Sequence, residues 1–87
     1  SEVKINELPQ INFEQLNNLV RGLRDPFPNV FIKFKNFQIN LLAIGRYISL
    51  PEKGLILNAD TKKNMIKENI FLKLKDSYAK LEEFKLI

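Results

Sequence analysis

Four lysines and two phenylalanines carry the most chemistry in this sequence. Lys33 and Lys35 alternate with apolar residues in one stretch, and Lys73 and Lys75 do so in another. Residues two apart on a strand share a face, so each pair is predicted to project from one side. Were the two strands neighbours, the four ammonium groups would form a basic patch with Phe31 and Phe71 among them. Cations interleaved with aromatic rings are what a single-stranded nucleic acid or tRNA surface needs, charge for phosphates and rings for bases. The bland reading is that lysines solvate the outer face of a sheet.

Other candidates are sparser. Arg21 and Asp25 stand four apart, the spacing of an ion pair along a helix. Asp76 has no second carboxylate at a defined spacing, so no acid–base pair is read there. The chain has no His and no Cys. Imidazole bases, thiolate nucleophiles, disulfides and His- or Cys-based zinc sites are therefore excluded. No catalytic residue, cofactor or metal ligand is assigned. The net charge of +4 would favour polyanions, and eleven of the fourteen cationic residues are Lys.

The elements that must position these groups follow from hydrophobic spacing. The 87 residues allow one domain with one modest core. Residues 1–11 read as a lead-in, with Pro9 stopping any early helix. A helix is predicted over residues 12–25, its clearest part 12–24. Asn12 is its N-cap, Gln15 is the capping-box partner, and Phe13, Leu16, Leu19, Val20 and Leu23 lie along one face. Pro26 and Pro28 fix the corner that follows, and Phe27 between them is assigned to the core, with stacking on a base or ring as the lesser reading.

The period then changes from helical to two. Val30, Ile32 and Phe34 form one strand, and Asn36 turns the chain. Phe37, Ile39, Leu41 and Ala43 alternate in a return strand that reaches toward Ile48. Pro51 to Gly54 is a loop, Leu55-Ile56-Leu57 a short strand, and Asp60 to Asn64 a polar turn. The last third fits two periods. Ile70, Leu72 and Leu74 followed by a turn at Asp76-Ser77 describe a hairpin. Ile66, Ile70, Leu74, Tyr78, Leu81 and Phe84 describe an amphipathic helix, which would make the chain an all-helical interaction protein. A helix over 62–86 would run about 37 Å, too long to bury its stripe on so small a remainder, which favours strands.

No run of residues has the length and apolarity of a membrane span, and the start of the sequence is not a signal peptide. A cytoplasmic chain without membrane contact is expected. The first residue, Ser1, suits either a trimmed fragment or a chain that has lost its Met.

One segment carries a resemblance. Leu19-Val20-Arg21-Gly22-Leu23-Arg24-Asp25-Pro26-Phe27-Pro28, a helix end followed by Asp-Pro-aromatic-Pro, resembles the opening of the C-terminal domain of the formyltransferase family. Methionyl-tRNA formyltransferases carry Asn-Pro-Trp-Pro-Gly-Ala there, and amino-sugar formyltransferases carry Asp-Pro-aromatic-Pro-Gly-Ala. Ile5 to Asn12 is similar to the family's lead-in, Pro51 to Asp60 to its Pro-Gly-x-Val-Leu/Ile stretch, and Phe71 to Leu86 to its last hairpin. The chain departs from the pattern at Asn29-Val30, which replace Gly-Ala, at Glu52-Lys53 between Pro51 and Gly54, and at Ser77, which replaces Gly.

The resemblance implies a mainly β domain of residues 1–87 with one N-terminal helix, the strands of 30–87 forming a small open β-barrel of oligonucleotide-binding-like topology. It implies a non-catalytic accessory domain with no cofactor of its own. The partner would be a Rossmann-like catalytic domain that transfers formyl from formyl-tetrahydrofolate to an amine. The domain would position the acceptor, tRNA or a nucleotide amino sugar, or pack on its catalytic partner. Residues Arg21, Asp25, Pro26, Phe27 and Pro28 are then structural, and Lys33, Lys35, Lys73 and Lys75 are the acceptor or nucleic-acid contacts. A free-standing basic nucleic-acid-binding module is the alternative.

Overall fold

A computed structural model describes residues 1–24 and 26–87. After a short 3-10 helix, Ile5–Gln10, comes the α-helix α1 (Phe13–Gly22). Five strands follow: β1 (Val30–Lys33), β2 (Gln38–Tyr47), β3 (Leu55–Ile56), β4 (Ile70–Lys73) and β5 (Tyr78–Leu86), with a 3-10 turn at Lys63–Met65 between β3 and β4. They form one sheet in the order β1-β2-β5-β4-β3, antiparallel throughout except that β3 runs parallel to β4. The sheet has two edges, β1 and β3, and does not close into a barrel.

The segment read as a lead-in is ordered. The Val3 N–H donates to the Phe31 carbonyl and the Phe31 N–H to that of Ser1, at 2.9 Å each, which pairs the first residues with the outer side of β1. An edge strand covered in this way exposes fewer free backbone groups. Val3 and Leu8 of this segment are buried in the core.

The predicted cap of α1 is formed. The Asn12 side chain accepts from the Gln15 N–H at 2.8 Å, and the Gln15 side chain accepts from the Asn12 N–H at 3.0 Å. Two otherwise unpaired donors at the helix start are thereby satisfied. Leu16 and Val20 are buried against the sheet, Phe13 and Leu23 are half-buried, and Leu19 is exposed. The stripe is thus narrower than its spacing implied.

The helix also ends earlier than residue 24 or 25. The Leu23 N–H still bonds the Leu19 carbonyl, but the Leu23 carbonyl accepts instead from the Asn29 side-chain amide at 3.1 Å. Gly22, a poor helix former, sits in the last turn.

The core lies between α1 and one face of the sheet. Val30 and Ile32 of β1, Ile39 and Leu41 of β2, Ile70 and Leu72 of β4, and Ala79 and Leu81 of β5 all point into it. The alternation along β2 does not continue to Ala43. The register with β5 shifts on both sides of Ala43 and then returns to its earlier value, a local irregularity shared by the two strands rather than a net insertion in either. Ile44 takes the inward position that strict alternation assigns to Ala43, which is only half-buried.

The C-terminal third is the hairpin, not the helix. Phe71, Leu72 and Lys73 pair with Lys80, Ala79 and Tyr78 across a turn closed by the Leu74 N–H on the Ser77 carbonyl at 2.9 Å. The all-helical reading of residues 62–86 is therefore overturned. Period two wins because Ile70, Leu72 and Leu74 then face the core together with Ala79 and Leu81. No helix is long and apolar enough to cross a membrane among the described residues.

Candidate functional site

The four lysines do not converge. Lys33 ends β1, whose partner is β2, while Lys73 ends β4, whose partners are β5 and β3. Two whole strands separate them. They also stand at opposite ends of β2: Lys33 pairs with Gln38, and Lys73 pairs with Tyr78, which pairs with Tyr47. Each leans over a neighbouring ring instead, Lys33 Nζ 5.8 Å from the Phe31 centroid and Lys73 Nζ 4.9 Å from that of Tyr78.

Lys35 does not share a strand face with Lys33, because β1 has ended and Lys35 sits in the turn. Lys75 occupies the β4–β5 turn, where its backbone N–H bonds the Ile11 carbonyl at 2.9 Å.

Phe71 does not join a stacking surface either. It is 0% exposed. Alternation with the inward-facing Ile70 and Leu72 puts it on the opposite face of the sheet. There Tyr47 meets it edge-on, with centroids 5.2 Å apart, and Gly54 lies close against it. Period two correctly separated Phe71 from Ile70, but only the loop after β2 decides that its face is dry.

The proline corner reverses a second expectation. Phe27 is 59% exposed, not core, and Pro26 and Pro28 are exposed with it. The early helix end leaves these residues in an outward turn, in which the Phe27 N–H bonds the Arg24 carbonyl at 2.9 Å. Arg21 is exposed in the last turn of α1; its expected pairing with Asp25 lies outside the described residues. Arg24 instead approaches Glu83 of β5 at 3.9 Å, an exposed contact of small energetic weight.

Asp76 has a structural task. Its Oδ1 accepts from the Phe13 N–H at 3.0 Å and from the Ser77 hydroxyl at 3.2 Å, and its Oδ2 lies 3.6 Å from Arg46. It thus ties the β4–β5 turn to the first turn of α1, where the helix dipole also favours an anion. The Phe13 N–H chiefly, with Ser77 and Arg46 behind it, holds the carboxyl below its ordinary value.

What the tertiary structure does bring together is a different set of cations. The β1–β2 turn carries Lys35 and Asn36 and faces the loop after β3, which carries Asp60, Lys62 and Lys63. The cleft between them has a volume of about 600 Å³. Both walls are braced. Phe34 and Phe37 stack at 4.6 Å with rings 5° from parallel, and the Phe34 N–H bonds the Phe37 carbonyl at 2.8 Å. In the loop, the Asn58 N–H donates to the Thr61 hydroxyl at 2.9 Å and the Asp60 N–H to the Asn58 side chain at 2.8 Å. Thr61 is buried. The Lys62 N–H points to the Met65 sulfur at 3.4 Å.

Among the described residues, none of Lys35, Lys62 and Lys63 is in an ion pair. The adjacent Lys62-Lys63 within a polar turn was the visible sign of this cluster in the sequence. Its meeting with Lys35, 27 residues earlier, was not visible.

No three His, Cys, Asp or Glu side chains gather to hold a metal ion among the described residues. What the cleft can do chemically is attract and orient an anion. No protein-family model, curated protein or solved structure matches the chain.

Proposed function

We propose that this chain is a non-catalytic accessory domain of formyltransferase type, whose work is to hold an amine acceptor, tRNA or a nucleotide-linked amino sugar, for a separate catalytic domain. The observation that carries the reading is the order of its parts. A capped helix, a Pro-Phe-Pro turn, a short strand just after residues 51–54 and a closing hairpin come in the order of the family's motifs. An open barrel of oligonucleotide-binding-like topology belongs to the same proposal, and a five-stranded sheet under one helix is compatible with it.

The side chains suit holding better than reacting. The chain offers no imidazole or thiol, and Asp76 is engaged in anchoring α1. The exposed Phe27 turn offers an apolar contact for the catalytic partner. A free-standing nucleic-acid-binding module is the second reading, and the basic cleft favours it.

Two measurements test the main reading. Incubated with formyl-tetrahydrofolate and an amine acceptor, the isolated chain transfers no formyl group; transfer by the chain alone would overturn the proposal. Titrated with total tRNA or a UDP-linked amino sugar at low salt, it binds at least one of them, and binding weakens as salt rises. Binding of neither at low salt rejects the acceptor-holding role.

A further inference from the structure

We infer that the cleft between the β1–β2 turn and the Asn58–Asn64 loop is a phosphate-binding subsite, with Lys35, Lys62 and Lys63 as its ligating groups. The inference deepens the acceptor-holding reading, since both classes of acceptor carry phosphate. Three lysines and one carboxylate residue, Asp60, line the one cavity, so its charged lining is net positive. The three cations are free of ion pairs among the described residues, so a phosphate oxygen displaces no protein anion. Lysine acts on phosphate as a mobile point charge and suits a site whose walls are two opposed turns.

The walls are stiff where the lysines are attached. The stacked Phe34 and Phe37 hold the first turn, and the Asn58, Asp60 and Thr61 hydrogen bonds hold the second. A fixed framework lowers the ordering cost of binding. Asn36 and Asn64 line the same cleft and supply neutral amides for the sugar or base attached to the phosphate.

The proposal excludes the lysines first suggested by strand spacing. Lys33, Lys73 and Lys75 belong to separate parts of the surface and give an internal control of equal charge. The test compares wild type with two triple variants, Lys35→Ala/Lys62→Ala/Lys63→Ala and Lys33→Ala/Lys73→Ala/Lys75→Ala. Each loses three charges, and circular dichroism verifies that each is folded. Binding of total tRNA and of UDP is measured at several salt concentrations.

In the cleft variant, affinity falls about tenfold or more at low salt, and the slope of log K against log salt becomes shallower by about 2, the release expected for two to three phosphate contacts. The control variant retains most of both. Loss of UDP binding identifies a nucleotide as the phosphate source; loss confined to tRNA identifies the RNA backbone. Equal losses in the two variants, or no loss in the cleft variant, overturn the subsite. When wild type binds tRNA and the cleft variant binds it as tightly, only the subsite fails. When wild type binds neither probe, the acceptor-holding reading fails with it.

Discussion

Replacing Phe71 by Ala separates two views of the sheet's outer face. If Phe71 were part of a base-stacking surface, its removal would weaken nucleic-acid binding and barely touch stability. The structure assigns it the opposite role. The ring is fully buried, with Tyr47 edge-on at 5.2 Å and Gly54 close against it. Burying a Phe side chain contributes about 1.5–3 kcal/mol. An edge-on aromatic pair adds about 0.5–1.5 kcal/mol. The cavity left behind raises the expected loss for Phe71→Ala to about 3–5 kcal/mol.

An 87-residue domain has a total stability of about 4–13 kcal/mol, so the loss is a large fraction of the whole. Urea unfolding followed by circular dichroism measures it, with Phe71→Met, closer in volume, as a variant that stays folded and loses about 1–2 kcal/mol. Phe31→Ala is the comparison on a half-buried ring and costs about 1 kcal/mol or less. A loss below about 1 kcal/mol for Phe71→Ala would refute the buried cluster. So would an unchanged unfolding curve coupled with weakened tRNA binding.

Three further outcomes follow from particular contacts. A Cβ at Gly54 would lie 3.0 Å from the Phe71 ring, which is buried and cannot yield, whereas one at Gly45 would meet the carboxylate of exposed Glu82 at 2.9 Å, which can swing away. Gly54→Ala therefore destabilises by about 1–3 kcal/mol in thermal or urea unfolding and Gly45→Ala by much less. Asn69 adopts φ 57°, so Asn69→Val costs about 1–2 kcal/mol while Asn69→Gly is tolerated, as urea midpoints will register. Asp76, held below its ordinary pKa, stabilises the fold fully above about pH 4, and this contribution fades as pH falls through the lowered folded-state value. Asp76→Asn therefore flattens the acid limb of a stability-against-pH curve, and an unchanged limb would remove Asp76 from the anchoring of α1.

Much of the fold was legible because its signals are local. The Asn12–Gln15 cap depends on two residues three apart, and both bonds are formed. Strand positions at Val30 and Ile39 follow from period two alone, whereas Ile70 and Tyr78 fitted a helical period as well. The misreadings arise where a distant group intervenes. The Asn29 side chain takes the Leu23 carbonyl and α1 stops early, which leaves Phe27 outside. A local irregularity in the β2–β5 pairing around Ala43 moves the inward position from Ala43 to Ile44.

The candidate site was less legible than the fold. Strand spacing can say that Lys33 and Lys73 point outward, but strand order decides whether they meet, and β2 and β5 stand between them. Composition determined that no imidazole or thiol chemistry resides here, and hydrophobic periodicity determined the first helix and the strands up to Leu57 while leaving the last third open between hairpin and helix. Only the tertiary structure decided that Phe71 is dry and that Lys35 meets Lys62 and Lys63. The physical reason is range: capping and alternation act over a few residues of chain, while burial and electrostatic clustering depend on which distant segments the fold sets side by side.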